Sequence, residues 1–274
     1  MLSINTDIIQ DHGNPEPYLR QFAEAGFTHL HWVHHWKGDF MYSPSEVAQI
    51  GRWLKEYGLI LNDLHATEGR EKFWLSKAEY ARLAGVELVK NRLDMTARLG
   101  GDAIVMHIRP DGEKDIPNAD FWNRFQRSMD TILPYATERN VQIAFENLES
   151  SRPNNHNLLK QILTMYSPEQ VGICYDPGHG NIVGDGLDFL DAVKDRLLVL
   201  HLNDNDGTGD QHKLLFAATI DWERAARIIA ASSYTKPLGL ELSIHQSEFK
   251  DTAAFLKEAM VTSTRFADMV ESAQ

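Results

Sequence analysis

VGICYDPGHGNIVGDGLDFLDAVKDRLLVLHLNDNDGTGDQH, residues Val171 to His212, decides the fold. It holds two short apolar runs, and each stops abruptly at a polar residue. VGICY stops at Asp176, with His179 close behind it. LLVL stops at His201, followed by Asn203 and Asp204 and then by Asp210 and His212. A short apolar run closed by a turn signal reads as a buried strand of a parallel sheet. Two such strands, each ending in a carboxylate or an imidazole, point to a functional edge.

The same grammar runs outward in both directions. Strands are expected at Met1–Asn5, Phe27–Val33, Leu59–Leu64, Ala103–Met106, Gln142–Phe145, Val171–Tyr175, Leu197–Leu200 and Leu238–Leu240. Between them lie helical stretches at Pro15–Ala25, Ser43–Tyr57, Lys77–Leu99, Phe121–Arg139, Leu158–Tyr166, Leu187–Asp195 and Asp221–Ala231, with Ala253–Ala273 last. Ser43 has the chemistry of an N-cap and Gly58 that of a C′ residue. Strict alternation implies a parallel sheet with helices outside. Eight units in 274 residues favour a closed (β/α)8 TIM barrel, a single domain over 1–274, rather than an open doubly wound sheet. No G-x-G-x-x-G loop follows the first strand, which counts against a dinucleotide site.

Composition narrows the partners. A net charge of −12 argues against a broad nucleic-acid surface, which needs a Lys/Arg-rich face. The lone Cys174 leaves no internal disulfide and fits a reducing compartment; it reads as a small buried hydrophobe. The N-terminus lacks the basic and apolar regions of a signal peptide, and no apolar stretch approaches the ~20 residues of a membrane helix. The expectation is a cytoplasmic protein.

Six strands end in a possible metal ligand: His65, His107, Glu146, Asp176, His201 and Glu241. Two residues before Glu146, Asp176 and Glu241, on the same face of each strand, stand Ala144, Cys174 and Gly239. All are small, as a tapered interior beneath a polar cluster would need. Converging carboxylates need a cation, or their pKa values must rise steeply. Mixed N/O donors suit Zn²⁺, Mn²⁺, Co²⁺ or Fe²⁺, and a carboxylate-rich set also admits Mg²⁺. HLHWVHHW (His29–Trp36) could form a second metal site, since a strand would put His29, His31 and His35 on one face, but a strand this aromatic reads more readily as half core and half pocket wall, with His34 or Trp36 lining the pocket. Trp36 could stack on the apolar face of a ligand ring. Arg109 could bind a substrate carboxylate or phosphate, or serve in a surface ion pair.

FEN (Phe145–Asn147), YDPGH (Tyr175–His179), HLND (His201–Asp204), DQH (Asp210–His212) and LEL (Leu240–Leu242) together resemble the xylose-isomerase-like barrels. That superfamily includes sugar and inosose isomerases and epimerases, and endonuclease IV. The resemblance implies that Glu146, Asp176, His201 and Glu241 bind one divalent metal, that Glu146 and Glu241 also exchange protons with the substrate, and that His179 contacts substrate oxygens. His65, His107, Trp36 and Arg109 are further substrate-binding candidates. The endonuclease branch carries nine ligands for three zinc ions, and His65, His107, His179, Asp210 and His212 would complete that set here, with Asp210 and His212 as additional metal ligands. Two departures count against a phosphate-gripping role: Gly209 stands where that family often has Arg, and its Gly-rich turn is here LLFAATIDW (Leu214–Trp222). The expected activity is isomerisation or epimerisation of a sugar, keto-sugar or inosose. The alternatives are a lyase or dehydratase on the same site, a zinc phosphodiesterase acting on abasic DNA, and a binding module with a vestigial site. The family's habit of forming dimers or tetramers implies a homo-oligomer. Specificity is expected in the loops Lys37–Ser43, Thr67–Leu75, Arg109–Asn118 and Gly180–Asp185.

Overall fold

A computed structural model describes residues 1–8, 13–109, 118–149 and 155–274. Residues 110–117, most of the expected specificity loop Arg109–Asn118, lie outside the described residues. Among the described residues, eight strands form one parallel sheet in the order β7-β6-β5-β4-β3-β2-β1-β8. They are β1 (Leu2–Asn5), β2 (His29–Trp32), β3 (Ile60–His65), β4 (Ala103–Met106), β5 (Gln142–Glu146), β6 (Val171–Tyr175), β7 (Leu197–Leu200) and β8 (Leu238–Leu240). The barrel closes just past the end of β7. Leu202 N donates to Gly239 O (2.8 Å), and Glu241 N donates to Leu202 O (3.1 Å). Gly239 matters to this seam: a Cβ there would lie 2.3 Å from Leu200 O. Its smallness serves backbone closure rather than a taper beneath Glu241.

The helices are α1 (Glu16–Ala25), α2 (Pro44–Tyr57), α3 (Glu79–Leu99), α4 (Ala119–Thr137), α5 (Asn155–Leu163), α6 (Pro177–Val183), α7 (Gly186–Val193), α8 (Trp222–Ala230) and α9 (Thr252–Ser272). Ser43 caps α2 through a full capping box with Glu46, and Gly58 ends it in the left-handed region, as the sequence predicts. No described helix is long and apolar enough to cross a membrane.

Side-chain alternation divides the core. Ile104, Ile143, Phe145 and Ile173 join the large cluster with the helices, while Ala103, Val105, Ala144, Cys174 and Val199 form a small cluster of their own. Ala144 and Cys174 thus stand within a layer of small side chains, as expected for residues two positions below the functional strand ends.

Two differences from the sequence reading lie beside the mouth. Part of the stretch Gly180–Asp185, expected as a loop, belongs to α6. Asp176 caps this helix, accepting from His179 N at 2.8 Å, and Pro177 opens it. Asp followed by Pro is itself a helix-start signal. The second is β2, which stops at Trp32. His35 then takes a positive φ of 61°, so it leaves the strand face shared by His29 and His31. His34 is buried, with Nε2 donating to Gly13 O, and is not among the residues lining the cavity described next.

Candidate functional site

The strand ends open into a cavity of 340 Å³, lined by Trp36, His65, His107, Arg109, Glu146, His179, Asp210, His212 and Glu241, among others. Asp176 and His201 lie below it, fully buried. With the exception of His34, the sequence-predicted site residues therefore sit at or under one mouth.

The floor is built from four strand ends. Glu146 closes β5, Asp176 follows β6, His201 follows β7 and Glu241 follows β8. One ligand atom from each lies within 4.8 Å of the other three. His201 Nδ1 is 3.0 Å from a Glu241 oxygen and 3.2 Å from a Glu146 oxygen. Neither contact has hydrogen-bond geometry, and both ring nitrogens of His201 are buried without a hydrogen-bond partner. A buried polar atom left unsatisfied costs about 1–3 kcal/mol. A cation at the centre of these donors removes that cost, and the mixed nitrogen–oxygen set suits a divalent metal. The residues present therefore fit the group that the strand ends imply.

Outer partners hold these donors in place. Asn147 clamps the Asp176 backbone, accepting from its N–H (2.8 Å) and donating to its carbonyl (2.7 Å). Asn203 Nδ2 donates to Asp176 Oδ2 at 2.8 Å. The Asn residues of the FEN and HLND motifs are thus positioning groups. Asp204 of HLND turns away from the site: it accepts from Ala218 N, Ile220 N and Trp222 Nε1 and organises the Leu214–Trp222 loop. That loop buries Leu214, Leu215, Ile220 and Trp222, as a packed structural element would.

The upper histidines are pre-set in the same way. His65 Nδ1 faces the Ala66 carbonyl (2.9 Å), and His179 Nδ1 faces that of Asn147 (2.9 Å). His107 Nδ1 faces Glu68, at 3.4 Å. Each contact engages one ring nitrogen and leaves the other facing the mouth. His65 Nε2 and His107 Nε2 lie 3.2 Å apart, and His107 Nε2 is 2.9 Å from Glu146 Oε2. His179 Nε2 lies 3.5 Å from Asp210, whose other oxygen is 2.8 Å from His212 Nε2. Two further clusters of metal-binding type result: His65–His107–Glu146 and His179–Asp210–His212.

Without a cation, protons balance the site. Burial pushes Asp176 up to about 7; His179 opposes this, and Glu146 and Glu241 add to it. Burial also works against the charge of Glu146, but His201 and His107 outweigh it and hold that carboxyl well below the usual range. Glu241 is likewise held low, burial being outweighed by His201 and His212. Burial opposes the charge on His212, yet Glu241 and Asp210 raise it to about 9. His65 goes the other way: burial drives it down to about 4, against the pull of Glu146.

The rim carries groups that the strand-end rule does not reach. Glu68 and Glu149 lie on connecting segments, and Arg109 spans them at 3.6 and 3.5 Å. The Arg109 guanidinium is thus an ion-pair member at the cavity edge. Trp36 lays its ring 4.2 Å from that of His65, with Lys37 Nζ over it at 4.5 Å. A buried pair, His31 and Asp63, sits inside the barrel beside His201. Asp63 gave no signal in sequence, because it lies inside a strand rather than at its end.

A family model described as xylose isomerase-like TIM barrel matches residues 19–259. The chain belongs to the xylose isomerase-like TIM barrel family. This xylose isomerase-like barrel is 32% identical over 279 residues to an uncharacterized protein, y4fM, of Sinorhizobium fredii, covering 93% of this chain and 89% of that one. Its fold matches the crystal structure of a D-tagatose 3-epimerase-like protein, with a TM-score of 0.77, 18% identity, and coverage of 99% and 98% of the two chains. It matches the structure of an L-ribulose 3-epimerase with a TM-score of 0.79, 15% identity, and coverage of 99% and 95%.

Proposed function

We propose that this xylose isomerase-like barrel is a divalent-metal-dependent isomerase or epimerase of a sugar, keto-sugar or inosose. The observation that carries the reading is the four-donor floor, in which Glu146 and Glu241 also line a cavity of 340 Å³. Carbohydrate epimerases among its structural relatives agree with the reading.

Moving a proton next to a carbonyl needs a base on the carbon acid and a partner for the charge that forms on oxygen. When bound, the metal supplies Lewis-acid polarisation of the substrate's oxygens. Asp176 and His201, fully buried, hold the cation. Glu146 takes the proton from carbon and Glu241 returns one, or the reverse, because both carboxylates face the cavity. The Nε2 of His179, set by the Asn147 carbonyl, steadies the substrate oxygen whose charge changes. The Trp36 ring packs on the apolar face of the sugar. A lyase shares the proton-abstraction step, and product analysis separates the two: an isomer keeps the substrate's mass, whereas a dehydrated product is lighter by one water. The test is turnover of a ketose and inosose panel by the metal-loaded chain. Glu146→Gln and Glu241→Gln should each lose about 10²–10⁴-fold, and full activity in both variants rejects the proposal.

A second reading rests on the two additional clusters. Nine donors in three groups, two of which share Glu146, support a multi-zinc phosphodiesterase of the endonuclease type. It requires two to three zinc ions per chain and salt-sensitive cleavage of abasic DNA. The rim opposes it. Glu68 and Glu149 occupy Arg109, and the chain carries −12 overall.

A further inference from the structure

His31 is buried to 1% exposure in the barrel interior. A register shift on β2 between Leu30 and His31 sets it opposite Asp63 of β3, and a bulge of this kind re-aims side chains. Its Nδ1 is hydrogen-bonded to Asp63 Oδ1, and Asn62 Nδ2 donates to the other Asp63 oxygen at 2.5 Å. Its remaining nitrogen, Nε2, is buried and has no hydrogen-bond partner. The ring lies 4.2 Å from that of His201, centroid to centroid. A ligand atom each from His31, His201 and Glu241 lie within 4.8 Å of one another.

An imidazole with one nitrogen on a buried carboxylate and the other unpartnered has the form of a metal-ligating histidine with its outer carboxylate. A histidine placed only for packing would not need Asp63, whose burial is costly without a partner. We infer that His31 is a further protein ligand, its Nε2 binding the divalent cation held by His201 and Glu241, with Asp63 fixing the ring. The inference rests on the metal-dependent reading above and adds a nitrogen donor from β2 to those of His201 and Glu241, which follow β7 and β8. The nitrogen shifts the site's preference toward Zn²⁺, Co²⁺ or Mn²⁺ and away from Mg²⁺, which favours oxygen ligands.

The test uses the full chain, stripped of metal and titrated with Co²⁺ against a chromophoric chelator. His31→Gln and Asp63→Asn are compared with the wild type in affinity, in the visible Co²⁺ spectrum, and in the melting temperature of the metal-free protein. The expected result is Co²⁺ binding about 10- to 100-fold weaker in Asp63→Asn, and at least as weak in His31→Gln, with an altered spectrum in His31→Gln. Asp63→Asn keeps the His31 ring, so it carries the test if His31→Gln does not fold. Wild-type affinity and spectrum in both variants, with only the metal-free melting temperature lowered, would make the pair structural and overturn the inference alone. No Co²⁺ binding by the wild type would overturn the metal reading and the inference with it.

Discussion

Each upper histidine of the mouth has one ring nitrogen engaged before any ligand arrives: His65 by Ala66, His107 by Glu68, His179 by Asn147. The ring therefore cannot choose which nitrogen to present. The energetic consequence is preorganisation, since the orienting bonds form on folding rather than on binding. The same logic predicts the effect of removing an outer partner. Asn203→Ala deletes the bond to Asp176 Oδ2 and leaves the remaining donors in place. It should weaken divalent-metal binding by about 10- to 100-fold, read by chelator competition, with the fold unchanged by circular dichroism. An unchanged affinity would mean that Asn203 does not orient the carboxylate. Strand-end donors were legible in sequence because each interrupts an apolar run. Their supports were not: Asn147, Asn203 and Glu68 act through contacts between distant segments, and His31–Asp63 exists only because β2 and β3 pair with a shifted register.

At the level of elements, the β7–β8 seam and the Asp204 loop bear the most local load. Gly239 has Leu200 O where a Cβ would stand, at 2.3 Å. Gly239→Ala must push β8 from β7 and should destabilise the fold by about 1–3 kcal/mol, the range for overpacking, measured as a lower urea midpoint. A neutral result would show that the seam can shift freely. Asp204 accepts three backbone N–H groups, those of Asn205, Ala218 and Ile220, and the Trp222 indole N–H. Asp204→Ala strands these donors and should cost more, about 3–5 kcal/mol by analogy with breaking a buried charged network. The eight strand–helix units were readable because apolar runs, caps and glycines alternate along the chain. Gly180–Asp185 reads as a loop in sequence, and the seven residues of α6, PGHGNIV, contain two glycines. Tertiary contacts and the Asp176 cap outweigh that propensity. His179, which the YDPGH resemblance marks for substrate contact, lies in this helix.

Taken whole, the molecule gathers buried carboxylates and histidines at one end of a barrel, so its stability without metal must depend on pH. Asp176 is raised to about 7 when folded, against about 3.9 unfolded. The folded chain holds that proton more tightly, so its stabilisation is complete below about pH 4 and is lost as pH rises through 7. His212, raised to about 9, has the same sign: its contribution is complete below about pH 6.5 and is lost through pH 9. Glu146 and Glu241 are held low; their contribution is present above about pH 4.3 and is lost only on acidification below it. The metal-free protein should therefore melt at progressively lower temperature from pH 5 to pH 9. Saturating divalent metal should flatten that slope, because the cation replaces the protons and stabilises the folded state by mass action. Parallel curves with and without metal would separate the titration from the site.

The most direct measurement is the binding of Mn²⁺ to the metal-stripped chain and to its Asp176→Ala variant, by calorimetry with elemental analysis of the loaded proteins. A tight site in the wild type, weakened at least tenfold in the variant and releasing protons near pH 6, is the predicted result. No retained metal, or equal affinity in both proteins, would contradict a cation held by Glu146, Asp176, His201 and Glu241.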